Sequence, residues 1–188
     1  MLKKLRIVTL ILLLTATSAT ALDIGGLTIP DTLDSGQGEL ILNGSGIRKK
    51  WGFKVYVGSL YLKAKSSDSQ KIIGADEPMA ITMTWKRNGP KEKILEVWEG
   101  GFKYAAGADF DAMKADIDKF KALTTDAKKN DVWTYVYLPG DGLSVSINDK
   151  VIDKITNPKF KNILFAVWLL EGDTFTGDED LRAGMLGK

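Results

Sequence analysis

The rhythm of apolar and polar residues changes several times along the chain, and each change predicts an element. Short apolar segments at 26–29 and 39–42 are separated by Pro30-Asp31 and the glycine-rich Ser35-Gly36-Gln37-Gly38, a strand, turn, strand opening. Residues 53–62 form the longest predicted strand. The polar stretch 65–76 leaves room for one short helix around 70–73. At 80–86 the alternation is clean: Ile81, Met83 and Trp85 share one face and Thr82, Thr84 and Lys86 the other, as in a half-buried strand.

Beyond Asn88-Gly89-Pro90 the period becomes that of a helix. Ile94, Trp98, Gly101, Phe102 and Ala105 make one apolar stripe that Gly107 ends, and Phe110, Met113, Ile117 and Phe120 make a second. Segments 132–138 and 143–148 flank Pro139-Gly140-Asp141-Gly142 and predict a hairpin. Pro158 opens a third helix, with Phe160, Ile163, Leu164, Val167 and Trp168 apolar and Gly172 just past its end. Residues 178–186 predict one more short helix, whereas Asp149-Lys150 reads as a solvated loop or helix start. Strands first, then two helices, a hairpin and another helix, without βα alternation, predict an α+β fold. Its layers are an antiparallel sheet and helices on one face of it.

The first residues change the picture of where such a domain works. Lys3, Lys4 and Arg6 precede an apolar run over 7–14 and small residues ending Ala19-Thr20-Ala21, the pattern of a signal peptide spanning 1–21. The run is too short to span a bilayer, which takes about 20 residues. A single domain over 22–188, exported to the periplasm and without a stable membrane anchor, is the expectation. Without the three leader cations, 23 Lys and Arg stand against 24 Asp and Glu, so the basic character belongs to the leader and does not point to nucleic acid. The chain has neither Cys nor His, which excludes Ser-His and Cys-His nucleophiles, imidazole bases and zinc sites of the usual ligand types. No metal or other cofactor is expected, and the acidic run 173–180 lacks the spacing of a calcium loop.

One segment stands out, GSGIRKKWGFKVYVGSLYL from Gly44 to Leu62. A phosphate cradle would need a helix after its glycines, and 53–62 is strand-like with no GK[ST]. A nucleic-acid patch around Arg48, Lys49, Lys50 and Trp51 does not suit an exported, near-neutral chain. A glycine turn with cations at its tip fits. Yet the strand that follows is apolar on both faces, so both sides are covered, and a nearby Arg48 would sit at the edge of an apolar layer where its charge needs a carboxylate. An internal acid such as Asp23, Asp31 or Glu39 could supply it, and so could an acidic ligand.

The segment resembles the signature of the chalcone isomerase family, a GxGxR turn leading into a strand that ends Gly58-Ser59-Leu60-Tyr61-Leu62. The opening DIGGLTIP and the closing DLRAGMLG resemble the exported bacterial branch, and the likeness covers nearly the whole chain after the leader. The resemblance implies an open-faced β-sandwich: a large antiparallel sheet backed by helices, with a cleft between them. It implies one of two activities. Plant members cyclise chalcones, using the motif arginine, a Thr on the following strand, and a Tyr and an Asn near the next helix. Other members bind fatty acids, holding the carboxylate with the arginine and a Tyr of that strand.

Carried over residue by residue, Arg48 matches the arginine of both branches. Tyr56 falls near the Thr position, as in the fatty-acid binders; a register off by one would place Val55 or Val57 there. Pro90 and Val97 fall where the enzymes have Tyr and Asn, and neither side chain donates a hydrogen bond. Loss of such a donor typically removes several kcal/mol of transition-state stabilisation. A monomeric binder of a fatty acid or similar amphipathic carboxylate is the leading expectation, with Arg48 and Tyr56 on the head and Trp98, Phe102 and Trp168 lining the cleft. Burial of a ten-carbon tail would contribute roughly 8 kcal/mol before ordering costs. The alternative is an isomerase acting on a conjugated enone, with Arg48 and Tyr56 catalytic.

Overall fold

The computed structural model describes residues 21–171 and 179–188. The leader except Ala21, and the predicted helix stop Gly172 with most of the acidic run after it, lie outside the described residues. Among the described residues nine strands and five α-helices follow one another in an α+β arrangement. Strands β3 (Thr32–Asp34), β4 (Glu39–Lys50), β5 (Phe53–Leu62), β6 (Met79–Trp85), β7 (Val132–Leu138), β8 (Gly142–Ile147) and β9 (Lys150–Ile155) form one antiparallel sheet in sequential order. Every neighbour in it is the next strand in the chain. A separate hairpin of β1 (Ala21–Ile24) and β2 (Leu27–Pro30) precedes it.

Helices α1 (Ser69–Gly74), α2 (Lys91–Ala106), α3 (Lys114–Ala122), α4 (Pro158–Leu169) and α5 (Glu179–Met185) accompany the sheet. Helix α4 is its central cover. Asn157 caps it by accepting from the Lys159 N–H, and residues from Phe160 to Leu169 are buried on nearly every side, as expected of a helix apolar all round. Helix α2 buries the predicted stripe of Ile94, Trp98, Gly101 and Phe102, and Gly107 caps its end with positive φ. The rings of Trp98, Phe102, Phe120, Tyr135, Phe160 and Trp168 pack mostly edge-on or tilted, at centroid separations of 4.9 to 6.2 Å. A smaller apolar cluster of Ile29, Leu40, Leu42, Val57, Tyr61 and Ala80 lies apart from that core. Strand β5 contributes to both clusters, which bears out its reading as a strand covered on both faces.

Three readings of the sequence need correction. Gly44-Ser45-Gly46 is not a turn but the middle of the twelve-residue strand β4, and the chain reverses later, at Trp51-Gly52. The glycines are there for a close approach. A Cβ on Gly44 would strike the backbone of Gly184, Met185 and Gly187, and one on Gly46 the backbone of Leu181, so α5 lies directly on the bare stretch of β4. Asn43, the extra residue of a β-bulge, fastens it by donating to the Met185 carbonyl at 2.8 Å and accepting from the Ser66 N–H at 2.8 Å.

The other corrections concern the second helix and the segment after Asn148. Phe110 and Met113 precede α3, in the turns that follow a short 3₁₀ helix at Gly107–Asp109, so the helix is shorter than its apolar stripe. Asn148 and Asp149, both exposed and at positive φ, form a two-residue turn, so Asp149 is in a solvated loop, but Lys150 already starts the edge strand β9. A bulge opposite Val145 and Ser146 breaks the alternation of β9, leaving Val151 and Ile152 exposed.

Candidate functional site

Where β4 and β5 near their shared turn, Arg48 stands directly opposite Tyr56. Of the three candidates Val55, Tyr56 and Val57, it is Tyr56 that pairs with Arg48. Val57 pairs with Ile47 and belongs to the smaller cluster, while Val55 is the extra residue of a bulge, because Arg48 and Lys49 face Tyr56 and Lys54. The bulge turns Val55 toward the helix side, where it packs on the main core.

On this side the sheet and helices enclose a cavity of about 170 Å³. Its floor is Tyr56, Met83 and Trp85 of the sheet, and Ile94, Val97 and Trp98 of α2 and Val167 and Trp168 of α4 form its roof. Arg48, Lys50, Lys93 and Glu96 supply its charged groups. Lys93 donates to both carboxylate oxygens of Glu96, at 2.7 and 2.9 Å, and the two form an ion pair along α2. Arg48 is half-buried, and its Nη1 donates to the Lys49 carbonyl at 2.8 Å.

Deeper in, the Trp168 indole N–H donates to the Tyr56 hydroxyl at 3.1 Å, joining sheet to α4 across the cavity wall. Tyr56 is 6% exposed, and its ring packs on Trp85 at 5.6 Å. Burial, with Tyr56 close by, pushes the neighbouring Tyr135 phenol well above its ordinary value. The indole nitrogens of Trp85 and Trp98 are fully buried and meet no acceptor, so these two rings offer the cavity carbon rather than donors. The arrangement is an apolar chamber with cationic groups in its lining and one phenol in its wall.

Of the residues singled out in the sequence, Arg48, Tyr56, Trp98 and Trp168 are brought together here. Phe102 is not in the lining. One turn beyond Trp98 on α2, it is fully buried, stacked on Trp98 at 5.6 Å and packed against Phe120 and Phe160, where it serves the core. Met83 and Trp85 were legible only as a buried strand face and Val167 only as part of an apolar helix stripe; Lys93 and Glu96 carried no signal of their own. Val97 places an isopropyl group in the lining and Pro90 begins α2, so neither position offers the cavity a donor. Of the internal acids weighed as partners for Arg48, two sit well along β4 from it. Glu39 and Asp31 are at the far end of β4, Glu39 roughly 30 Å along the strand, and Asp23 accepts from Thr28. Among the described residues no group of three or more acidic side chains could hold a metal ion.

The fold is the one anticipated from the GxGxR segment. The family model described as chalcone isomerase-like matches residues 21–187, and the chain belongs to that family. Among solved structures it is similar to a fatty-acid binding protein of Arabidopsis thaliana, with a TM-score of 0.63 and 17% identity over 86% of this chain and 92% of that one. At that identity the likeness speaks for the fold. No curated protein matches the sequence.

Proposed function

We propose that this protein binds a fatty acid or similar amphipathic carboxylate in the cavity between sheet and helices. The observation that carries the reading is the pairing of Arg48 with Tyr56 at a chamber whose floor and roof are largely apolar. A guanidinium in such a setting binds a carboxylate through charge-assisted hydrogen bonds, and the chamber replaces water around the alkyl tail. A dry apolar cavity of about 150 Å³ suffices for a benzene ring. At about 170 Å³ with an open side, this one encloses a short acyl segment and lets a longer chain continue outward. The fatty-acid binding role of the structural neighbour agrees with the reading. So does the lining at Val97, which is apolar where chalcone cyclisation would use a donor.

The leader pattern over residues 1–21 supports a periplasmic setting in a bacterium for this activity. Native mass spectrometry of the protein recovered from cells that export it tests the reading. A carboxylic lipid should co-purify and be lost in Arg48→Met. Turnover of a chalcone that depends on Arg48, with no lipid bound, would favour the isomerase reading instead.

A further inference from the structure

The hairpin that carries Arg48 and Tyr56 ends in an unusual tip. Its loop has two residues, Trp51 and Gly52, both at positive φ (51° and 79°) between the paired Lys50 and Phe53. Such loops favour Asn-Gly or Gly-Gly, because a bulky side chain at positive φ is strained. Tryptophan here serves neither the turn nor the core: it is 88% exposed, and Phe53 beside it is 60% exposed. Cations surround both rings. Lys50 Nζ lies 5.0 Å from the Trp51 ring, Arg87 Cζ lies 4.9 Å from the Phe53 ring, and Lys49 and Lys54 are paired across the strands just behind. Of these, Lys49 also pairs with Asp180 at 3.1 Å.

We infer that this tip docks reversibly on an anionic lipid bilayer, with Trp51 and Phe53 entering the headgroup region and Lys50, Lys54 and Arg87 facing the lipid phosphates. Indole rings favour the membrane interface, and basic side chains next to it gain from a negative surface potential. Among the described residues no other exposed apolar site has aromatic rings flanked by cations in this way. Val151 and Ile152 are exposed on the edge strand β9, but charges of both signs flank them, Lys150 and Lys154 against Asp149 and Asp153. The tip is also continuous with the cavity, since Lys50 lies on Trp51 and lines the cavity together with Arg48. Docking would therefore bring the chamber's charged lining close to a lipid surface. No helix among the described residues is long and apolar enough to cross a membrane, so the contact is peripheral. It rests on the tip alone and holds whatever the cavity binds.

Sedimentation of soluble, naturally processed protein with vesicles tests this, using phosphatidylcholine alone and phosphatidylcholine mixed with phosphatidylglycerol. Binding is expected to the anionic vesicles and to weaken with salt. It should fall at least roughly tenfold in Trp51→Asn and in Phe53→Thr, and several-fold in the Lys54→Gln, Arg87→Gln double variant. Trp51→Asn creates the favoured Asn-Gly turn, so its loss of binding would not come from unfolding. Brominated lipids should quench a part of the tryptophan emission that this variant lacks. The inference is overturned if the wild type does not bind anionic vesicles, if Trp51→Asn binds as well as the wild type, or if the tip instead holds two copies together in a dimer that Trp51→Asn dissolves.

Discussion

Arg48 and Tyr56 face one another across the β4–β5 ladder, and the Tyr56 hydroxyl accepts a hydrogen bond from Trp168 on α4. One cross-strand pair thus links the family's arginine to the helix layer. The link makes the cavity wall a unit: sheet, phenol and α4 indole hold one another in place, and the arginine stands beside them.

The first consequence concerns stability. Tyr56→Phe leaves the buried Trp168 N–H without its acceptor, which should cost about 1–3 kcal/mol. Trp168→Phe removes the donor as well as ring volume. In a double-mutant cycle followed by urea unfolding, the two changes should couple by about 1 kcal/mol. Additive effects would mean that the bond carries no net energy.

The cavity can be filled from α2. Val97→Phe adds a ring to a lining that has about 170 Å³ to receive it. We expect ligand uptake to fall at least roughly tenfold while the melting temperature stays within a few degrees of the wild type. Unchanged uptake would place the ligand elsewhere on the protein.

Gly46 and Gly74 form a matched test of the role given to the motif glycines. Gly46→Ala drives a Cβ into the Leu181 backbone, whereas at Gly74, the last residue of α1, a Cβ meets nothing within 4 Å. Gly46→Ala should cost about 2–4 kcal/mol and speed proteolysis of the C-terminal segment. Gly74→Ala should be neutral or stabilising by up to about 1 kcal/mol. Equal effects would remove the docking role of Gly46.

Much of this arrangement was legible in the sequence, and the exceptions have physical causes. Residues 53–62, 80–86 and 132–138 announce themselves because a strand's face is set by its own side chains. Gly44 and Gly46 mislead because their missing side chains are complemented by α5, which arrives only at the end of the chain. Strand β9 hides because a bulge shifts its alternation at Ile152, and edge exposure lets polar and apolar residues mix. At the site, Arg48 was legible from the motif, but the Tyr56 register depends on the Val55 bulge, which no local pattern encodes. Trp98 and Phe102 share one helical stripe; packing from β7, α3 and α4 decides that only Trp98 reaches the cavity.

Lys161 gives the fold a pH dependence. Its side chain is buried, donates to the Ile73 and Ala75 carbonyls at 2.8 and 2.5 Å, and lies over the Tyr137 ring. Burial lowers its pKa from 10.5 to about 8, against the opposing pull of Asp76 and Glu77. Between about 8 and 10.5 the unfolded chain therefore holds a proton that the folded chain has released, so this residue's contribution to stability rises with pH. Relative to Lys161→Met, the wild type should gain about 2 kcal/mol between pH 7 and pH 9.5 in urea unfolding. A constant difference, or a gain in the opposite direction, would show that the ammonium is not held against its solvation.

The most direct test of the binding account is calorimetric titration with a fatty acid and with the alcohol of the same chain length, for the wild type and Arg48→Met. The two ligands share a tail and differ in the charge that Arg48 would meet. The account predicts that the wild type prefers the acid by roughly 10- to 100-fold and that Arg48→Met abolishes the preference while still binding the alcohol. Equal affinity of the wild type for acid and alcohol, or a preference for the acid that survives in Arg48→Met, would contradict it.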